Sequence, residues 1–305
     1  MNRPRVGAAL MAVCVIWGST YLAIKHMVTG FPPLLGSAIR FLVAGGLLYG
    51  FAARRSGRLD RRLWKAAIEL GALLIVGGVG LVTVAESTGI GSGLAATAAA
   101  AIPLWASVVN GLSGTWPRRR EWWGLGIGMM GVALLGFEGD FSSNRLGAAL
   151  MLAAPICWAV GSIRRTRVAF PAGQVGVGAE MLAGGALLLL LAAARGERLN
   201  AVPGPEAWLG LTYLIVFGSL VAFSAYMYLL DNVRPALATS YAYVNPVVAM
   251  ALGLTLGAES VTASGLAALP LILSGVALMS GLGVGFVSPL FTHRRQPEFD
   301  APAAA

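Results

Sequence analysis

Apolar residues in this chain gather into long, nearly unbroken runs, without the alternation of a half-buried strand or the one-sided stripe of a soluble helix. Ten runs stand out, at approximately 7–26, 33–53, 65–86, 90–111, 121–137, 147–165, 173–194, 207–229, 235–257 and 264–286. Each ends at charges, prolines or glycines, and each approaches the about 20 residues a helix needs to cross a bilayer. The connections are short and leave no room for a soluble domain. The pattern therefore predicts an all-α polytopic membrane protein with ten transmembrane helices. The first run follows MNRPR and resembles a secretory signal. It is too long and lacks a small-residue cleavage site, so an uncleaved first span is expected. Residues 288–305 are polar and Pro/Ala-rich and are expected to form a disordered cytoplasmic tail.

Composition agrees: 57% of the 305 residues are apolar and 11% charged, against roughly 25% charged in soluble domains. The formal charge of +9 would suggest nucleic acid in a soluble chain. Its distribution points elsewhere. With the N-terminus inside, the inner side collects 17 Lys and Arg. They come in runs at Arg3 and Arg5, Arg54 to Lys65, Arg118 to Arg120, Arg164 to Arg167, Arg234, and Arg294 with Arg295. The outer side holds Lys25, Arg145, Arg195 and Arg198. This bias places both termini in the cytoplasm and marks the basic runs as topology signals beside anionic lipid; no nucleic-acid partner is expected. Cys14 and Cys157 lie inside apolar runs and read as small hydrophobes.

The chain repeats itself. Phe31-Pro32 recurs as Phe170-Pro171, and Ala44-Gly45-Gly46 as Ala183-Gly184-Gly185. Pro103 recurs as Pro246, and Gly131-Val132-Ala133-Leu134 as Gly275-Val276-Ala277-Leu278; Trp17 and Trp158 match with a small shift. Two repeats of five spans follow, 1–140 and 141–287. Five is odd, so the second half enters the membrane inverted, around an axis in the membrane plane.

Candidate chemistry lies near the midplane. In 235–257, Tyr241 and Asn245 share a face beside Pro246, where the missing backbone donor should open the helix. Transporters place binding sites at such breaks; a packing kink with Tyr and Asn bonded to neighbouring helices is the other reading. Trp17 and Trp158, at matching depths, suggest an aromatic-walled cavity, with Thr20 and Tyr21 close by; ordinary core packing is the alternative. Trp105, just after Pro103, and Tyr226 and Tyr228 are weaker candidates. Arg40 and Glu180 sit inside spans, where a centred charge costs about 2.5–3.5 kcal/mol. They occupy nearly equivalent repeat positions and could approach each other or flank one cavity. Gating, coupling or zwitterion recognition is one reading, a structural ion pair the other. Glu86 and His26 are expected at wet helix ends. Glycine pairs such as Gly46/Gly50, Gly124/Gly128, Gly253/Gly257 and Gly281/Gly285 have the spacing of close helix packing.

Several chemistries are excluded. No lysine follows a P-loop pattern, and the Gly126–Gly131 fingerprint lies within an apolar span. His26 and His293 are near opposite membrane faces, and no acidic block offers a cage. No cofactor, metal or catalytic residue is expected.

WGSTYLAIK at 17–25, FPP at 31–33, AIRFLVAGGLL at 38–48 and the paired GVAL segments resemble the EamA-type transporters of the drug/metabolite transporter superfamily. The resemblance spans about residues 7–286 and is nearest to the YddG-type exporters of aromatic and neutral amino acids. It implies ten helices in two inverted halves, with a cavity between them that opens to each side in turn. It implies a bacterial inner-membrane exporter of small metabolites, monomeric in the lipid bilayer, with neutral or aromatic amino acids as the expected substrates. Trp17, Thr20, Tyr21, Trp105, Trp158, Tyr241 and Asn245 are the expected lining, with Arg40 and Glu180 as gating or coupling candidates. The second half departs from the pattern: Arg40 has no basic counterpart, and Cys157–Ser162 replaces WGST. A cationic-drug or sugar-nucleotide carrier, a lipid scramblase and an intramembrane enzyme are the rival classes.

Overall fold

The structure is a computed structural model that describes residues 3–136 and 144–256, with scattered helical positions between 267 and 278. All regular elements among the described residues are helical. The α-helices are α1 (Arg3–Met27), α2 (Pro33–Ser56), α3 (Trp64–Leu70), α4 (Leu81–Ser87), α5 (Ser92–Ala99), α6 (Ile102–Leu112), α7 (Arg119–Gly136), α8 (Arg145–Arg165), α9 (Gln174–Ala194), α10 (Pro205–Tyr213), α11 (Ser224–Asn232), α12 (Pro235–Ala238) and α13 (Tyr241–Leu256), and a 3-10 turn at Arg61–Leu63 precedes α3. Two π-helical stretches, Gly71–Gly80 and Leu214–Phe223, join α3 to α4 and α10 to α11 into continuous rods. Nine of the ten predicted runs coincide with helical stretches, seven of them long and apolar enough to cross a membrane. The other two fall short for visible reasons: α7 carries three charges in its first turn, and the run from Pro235 is broken after Ala238. The run at 264–286 lies largely outside the described residues, as does the tail at 288–305.

The most extensive helix pairing is α2 with α9. A Cβ on Gly45 would lie 2.8 Å from the Leu182 backbone nitrogen, one on Gly178 2.6 Å from that of Tyr49, and one on Gly185 2.9 Å from that of Leu42. As the number rises along α2 it falls along α9, so the two helices run antiparallel, main chain nearly on main chain. In this register Ala44 lies level with its repeat mate Ala183. Small residues do this in lipid because van der Waals contact, not water expulsion, holds membrane helices together. The predicted Gly46/Gly50 pair does not take part. Both face open space, and the contact falls to Gly45, one position earlier on the helix. Gly124 and Gly128 do pack closely, against Gly275. Gly257, Gly281 and Gly285 lie outside the described residues.

Polar groups tie the ends of this frame. Glu197, beyond α9, accepts hydrogen bonds from the backbone amides of Leu34 and Leu35 at 3.0 and 2.9 Å. Two of the unpaired amides at the start of α2 are thereby satisfied from the other half of the chain. Glu121 caps the Arg118 amide and takes both arms of Arg234, which joins α7 to the start of α12. Glu121→Ala should therefore lower stability by about 1–3 kcal/mol, the cost of stranding a partly buried guanidinium. A fall in the midpoint of thermal unfolding in detergent would register it.

Two breaks position the site. The first separates α5 from α6 at Ala100 and Ala101. The second lies at Thr239 and Ser240, not at Asn245-Pro246 as the sequence suggests; α13 runs straight through Pro246. The reason is local. Thr239 and Ser240 are buried, and their hydroxyls bond back to the carbonyls of Pro235 and Leu237, each at 2.9 Å. Both carbonyls also accept a backbone amide, Pro235 from Thr239 and Leu237 from Ser240, so the hydroxyls add a second bond to each and are themselves satisfied inside the buried break. Pro246 lies in the second turn of α13, so its missing donor costs one hydrogen bond near the helix start, and the helix continues to Leu256.

Candidate functional site

Where α1, the first rod, α5, α6, α8, the second rod and α13 meet, a cavity of about 80 Å³ remains. One wall is aromatic. The Trp17 ring lies 5.2 Å from Trp158, 5.1 Å from Tyr226 and 4.9 Å from Tyr241, and Phe223 closes the group at 6.4 Å. Most of these contacts are edge to face, the arrangement that ring quadrupoles favour. Gly78 lets the cluster close: a Cβ there would strike the Trp158 ring at 2.4 Å.

The polar groups of these rings are directed with care. Trp17 Nε1 donates to the Gly218 carbonyl at 3.0 Å, across the two halves of the chain. Gly218 lies inside the second π-helical stretch. Ser162 donates to the Trp158 carbonyl at 2.7 Å, so in its 2.6 Å contact with the Tyr226 hydroxyl the tyrosine is the donor. Thr20 bonds the Trp17 carbonyl at 2.8 Å. Two groups are left over: Trp158 Nε1 and Asn245 Oδ1 have no hydrogen-bond partner among the described residues. Both belong to residues that line the cavity.

Arg40 lines the same cavity and is 3% exposed. Its Nε donates to Ser219 at 2.8 Å, and the guanidinium sits over the Phe41 ring at 4.7 Å. Among the described residues no carboxylate comes within ion-pair distance of it. A buried cation without a counter-ion is costly, so its place is held by packing and by Ser219. Its terminal nitrogens make no hydrogen bond among the described residues.

Of the predicted lining, Trp17, Thr20, Tyr21, Trp158, Tyr241 and Asn245 come together here, with Arg40. Trp105 does not. It is 36% exposed, on the outer face of α6. Ile102 takes the cavity position, and Pro103, Ala106 and Ser107 form the buried face of that helix. Glu180 is also absent from the lining. It does not meet Arg40; it faces Arg165, at 3.7 Å. The two centred charges look matched in sequence, yet each finds its surroundings within a different layer of the fold. Glu86 is not at a wet end: it is 7% exposed, and neither carboxylate oxygen has a hydrogen-bond partner among the described residues. His26 lies at a partly exposed helix end, 3.7 Å from Glu206.

Sequence reasoning missed Gly218, Ser219, Phe223 and Pro155. A signal for the first three existed. The two π-helical stretches stand at the offset that relates Pro103 to Pro246, so repeat alignment alone links Gly71–Gly80 with Leu214–Phe223. Nothing in composition marks either as unusual, because a π-turn differs from an α-turn only in closing its hydrogen bond one residue further along the chain.

Comparison with known proteins fits this geometry. The chain matches the EamA-like transporter family over residues 6–137 and again over 145–281. It is 44% identical over 274 residues to an uncharacterized inner membrane transporter of Escherichia coli, YedA, with 89% of each chain covered. It is 25% identical over 290 residues to the uncharacterized transporter YvbV of Bacillus subtilis, covering 92% of this chain and 93% of that one. A crystal structure of a protein with 22% identity superposes with a TM-score of 0.73, covering 91% of this chain and 98% of that one, and so shares its fold. The chain is accordingly a multi-pass inner-membrane transporter and belongs to the EamA-like transporter family.

Proposed function

We propose that the protein exports neutral amino acids, aromatic ones among them, by alternating access. In this reading it works as a monomer with ten spans and both termini in the cytoplasm. The antiparallel packing of α2 on its repeat mate α9 supports two oppositely inserted halves: repeats inserted the same way would bring these helices together parallel. The observation that carries the substrate class is Arg40, an uncompensated guanidinium facing an aromatic cavity. A carboxylate is the natural partner for its free nitrogens. The ammonium would be held by the unpartnered Asn245 oxygen and by ring faces, which attract cations. Among the described residues no acidic one lines the cavity, which argues against a carrier for cationic drugs, and the single basic group among them is too few for a sugar nucleotide.

The cavity volume sets what fits in this conformation. At about 80 Å³ it is roughly half the size of the engineered cavity that admits benzene. A small side chain fits as it stands; an aromatic one has to part Trp17 from Tyr241. Proteoliposomes should therefore show counterflow of labelled neutral amino acids, and no flux of any of them would reject the reading. Trp17→Ala should enlarge the cavity and weaken transport of aromatic substrates about three- to tenfold, from lost ring contacts of about 0.5–1.5 kcal/mol. Small substrates should lose less, and the ratio of the two KM values measures the difference.

A further inference from the structure

A second polar cluster is buried away from the cavity lining. Glu180 on α9 is fully buried, and neither of its oxygens has a hydrogen-bond partner among the described residues. Arg165 on α8 approaches it at 3.7 Å and also contacts Asp231 on α11 at 3.2 Å. The same guanidinium donates to the Pro171 carbonyl at 3.3 Å and lies over the Phe170 ring at 5.1 Å. One buried cation thus serves two carboxylates. If both were ionised, the cluster would carry an unbalanced negative charge in a low-dielectric interior, where such a charge is expensive.

Among the described residues, the other charged and titratable groups nearby do not change this balance. Tyr226, on α11, lies within electrostatic reach of Glu180 but is neutral and bonded to Ser162. On α2, the Tyr49 hydroxyl is engaged with the Leu59 amide. On α3, Glu69 pairs with Arg164 and Lys65 is exposed. Gly71–Gly80, also packed on α9, contains no titratable side chain.

We propose that Glu180 is a proton-carrying site that couples transport to a proton gradient. Asp231 holds the closer contact to Arg165 and is 12% exposed, against 0% for Glu180, so the proton resides on Glu180 and Asp231 is the counter-ion. The site communicates with the cavity through Tyr226, whose ring packs on Trp17, Trp158 and Tyr241. Ionising Glu180 changes the field at that ring, and a solute between the rings feels the same change from the other side.

The site rests on the amino-acid reading only for its transport assay, so a substrate-free measurement separates the two. In nanodiscs without substrate, the protonated-carboxyl infrared band should contain a component that Glu180→Gln removes. Asp231→Asn should remove the same component, because Glu180 then pairs one to one with Arg165 and ionises. Glu69→Gln should leave it in place. In proteoliposomes, a gradient of one pH unit should drive about tenfold accumulation in one of its two senses, the limit for one proton per substrate. Glu180→Gln should abolish accumulation while counterflow persists, since Glu180 lies outside the lining. A band unchanged in Glu180→Gln, accumulation that survives this substitution, or accumulation driven only by sodium would each overturn the proposal. Loss of counterflow in the unmodified protein, with the infrared component intact, would reject the substrate reading and leave the proton site standing.

Discussion

Arg40→Gln should raise the KM for amino acids roughly ten- to a hundredfold while leaving the protein at least as stable as before. The two effects have one cause. Arg40 is a buried cation with no counter-ion among the described residues, held by a single hydroxyl and a ring face. Removing it relieves a desolvation cost, so the thermal midpoint should rise or stay level. The same charge is the only one among the described residues that lines the cavity. A charge-assisted hydrogen bond to a substrate carboxylate is worth about 1.5–3 kcal/mol, and at about 1.4 kcal/mol per decade its loss should raise KM by roughly ten- to a hundredfold. An amine that lacks the carboxylate is the control: whatever slow transport it shows should not change. A destabilised Arg40→Gln protein, or unaltered amino-acid KM, would count against the role given to this residue.

Gly178→Leu should disrupt the fold itself. The new Cβ would fall 2.6 Å from the Tyr49 backbone nitrogen and 2.8 Å from its Cα, where no flexible side chain can move aside. The helices have to separate, and that loosens the tightest seam between the two halves. Overpacking costs about 1–3 kcal/mol where neighbours can adjust; against main chain the upper end or more is expected. The matched control is Gly46→Leu on the facing helix, where a Cβ meets nothing within 4 Å. That substitution should be neutral or slightly favourable, since leucine forms helix better than glycine by up to about 1 kcal/mol. Monodispersity and thermal midpoint in detergent separate the two variants.

Much of the architecture is legible in sequence because lipid imposes a blunt requirement. A span has to be long, apolar and terminated by charge, and nine of the ten runs from 7–26 to 235–257 appear as helices at nearly the predicted limits. The aromatic cluster is legible too, since Trp17 and Trp158 are unusual at mid-depth and the repeat pairs them. What failed turned on rotation about a helix axis. Gly46 in place of Gly45, and Trp105 in place of Ile102, are errors of facing, because an all-round apolar helix offers no polar stripe to fix its orientation. The break at Thr239 was hidden for a different reason. Proline advertises itself, whereas two hydroxyls that bond back to carbonyls of the preceding turn look like ordinary polar residues. Glu180 was recognised as costly, but Arg165 read only as part of a basic run at the membrane face, and nothing in the sequence pointed to Asp231 until the helices were assembled.

The paired π-helical stretches have a mechanical consequence. Each stores surplus residues in a wider coil, so rewinding either to the tighter α form would twist everything beyond it about the rod's own axis. On one rod that would turn Glu86; on the other, Tyr226 and Asp231 would swing together, away from or toward their neighbours. Main-chain bonds would be exchanged inside the rod throughout, so the torsion would expose no amide to hydrocarbon.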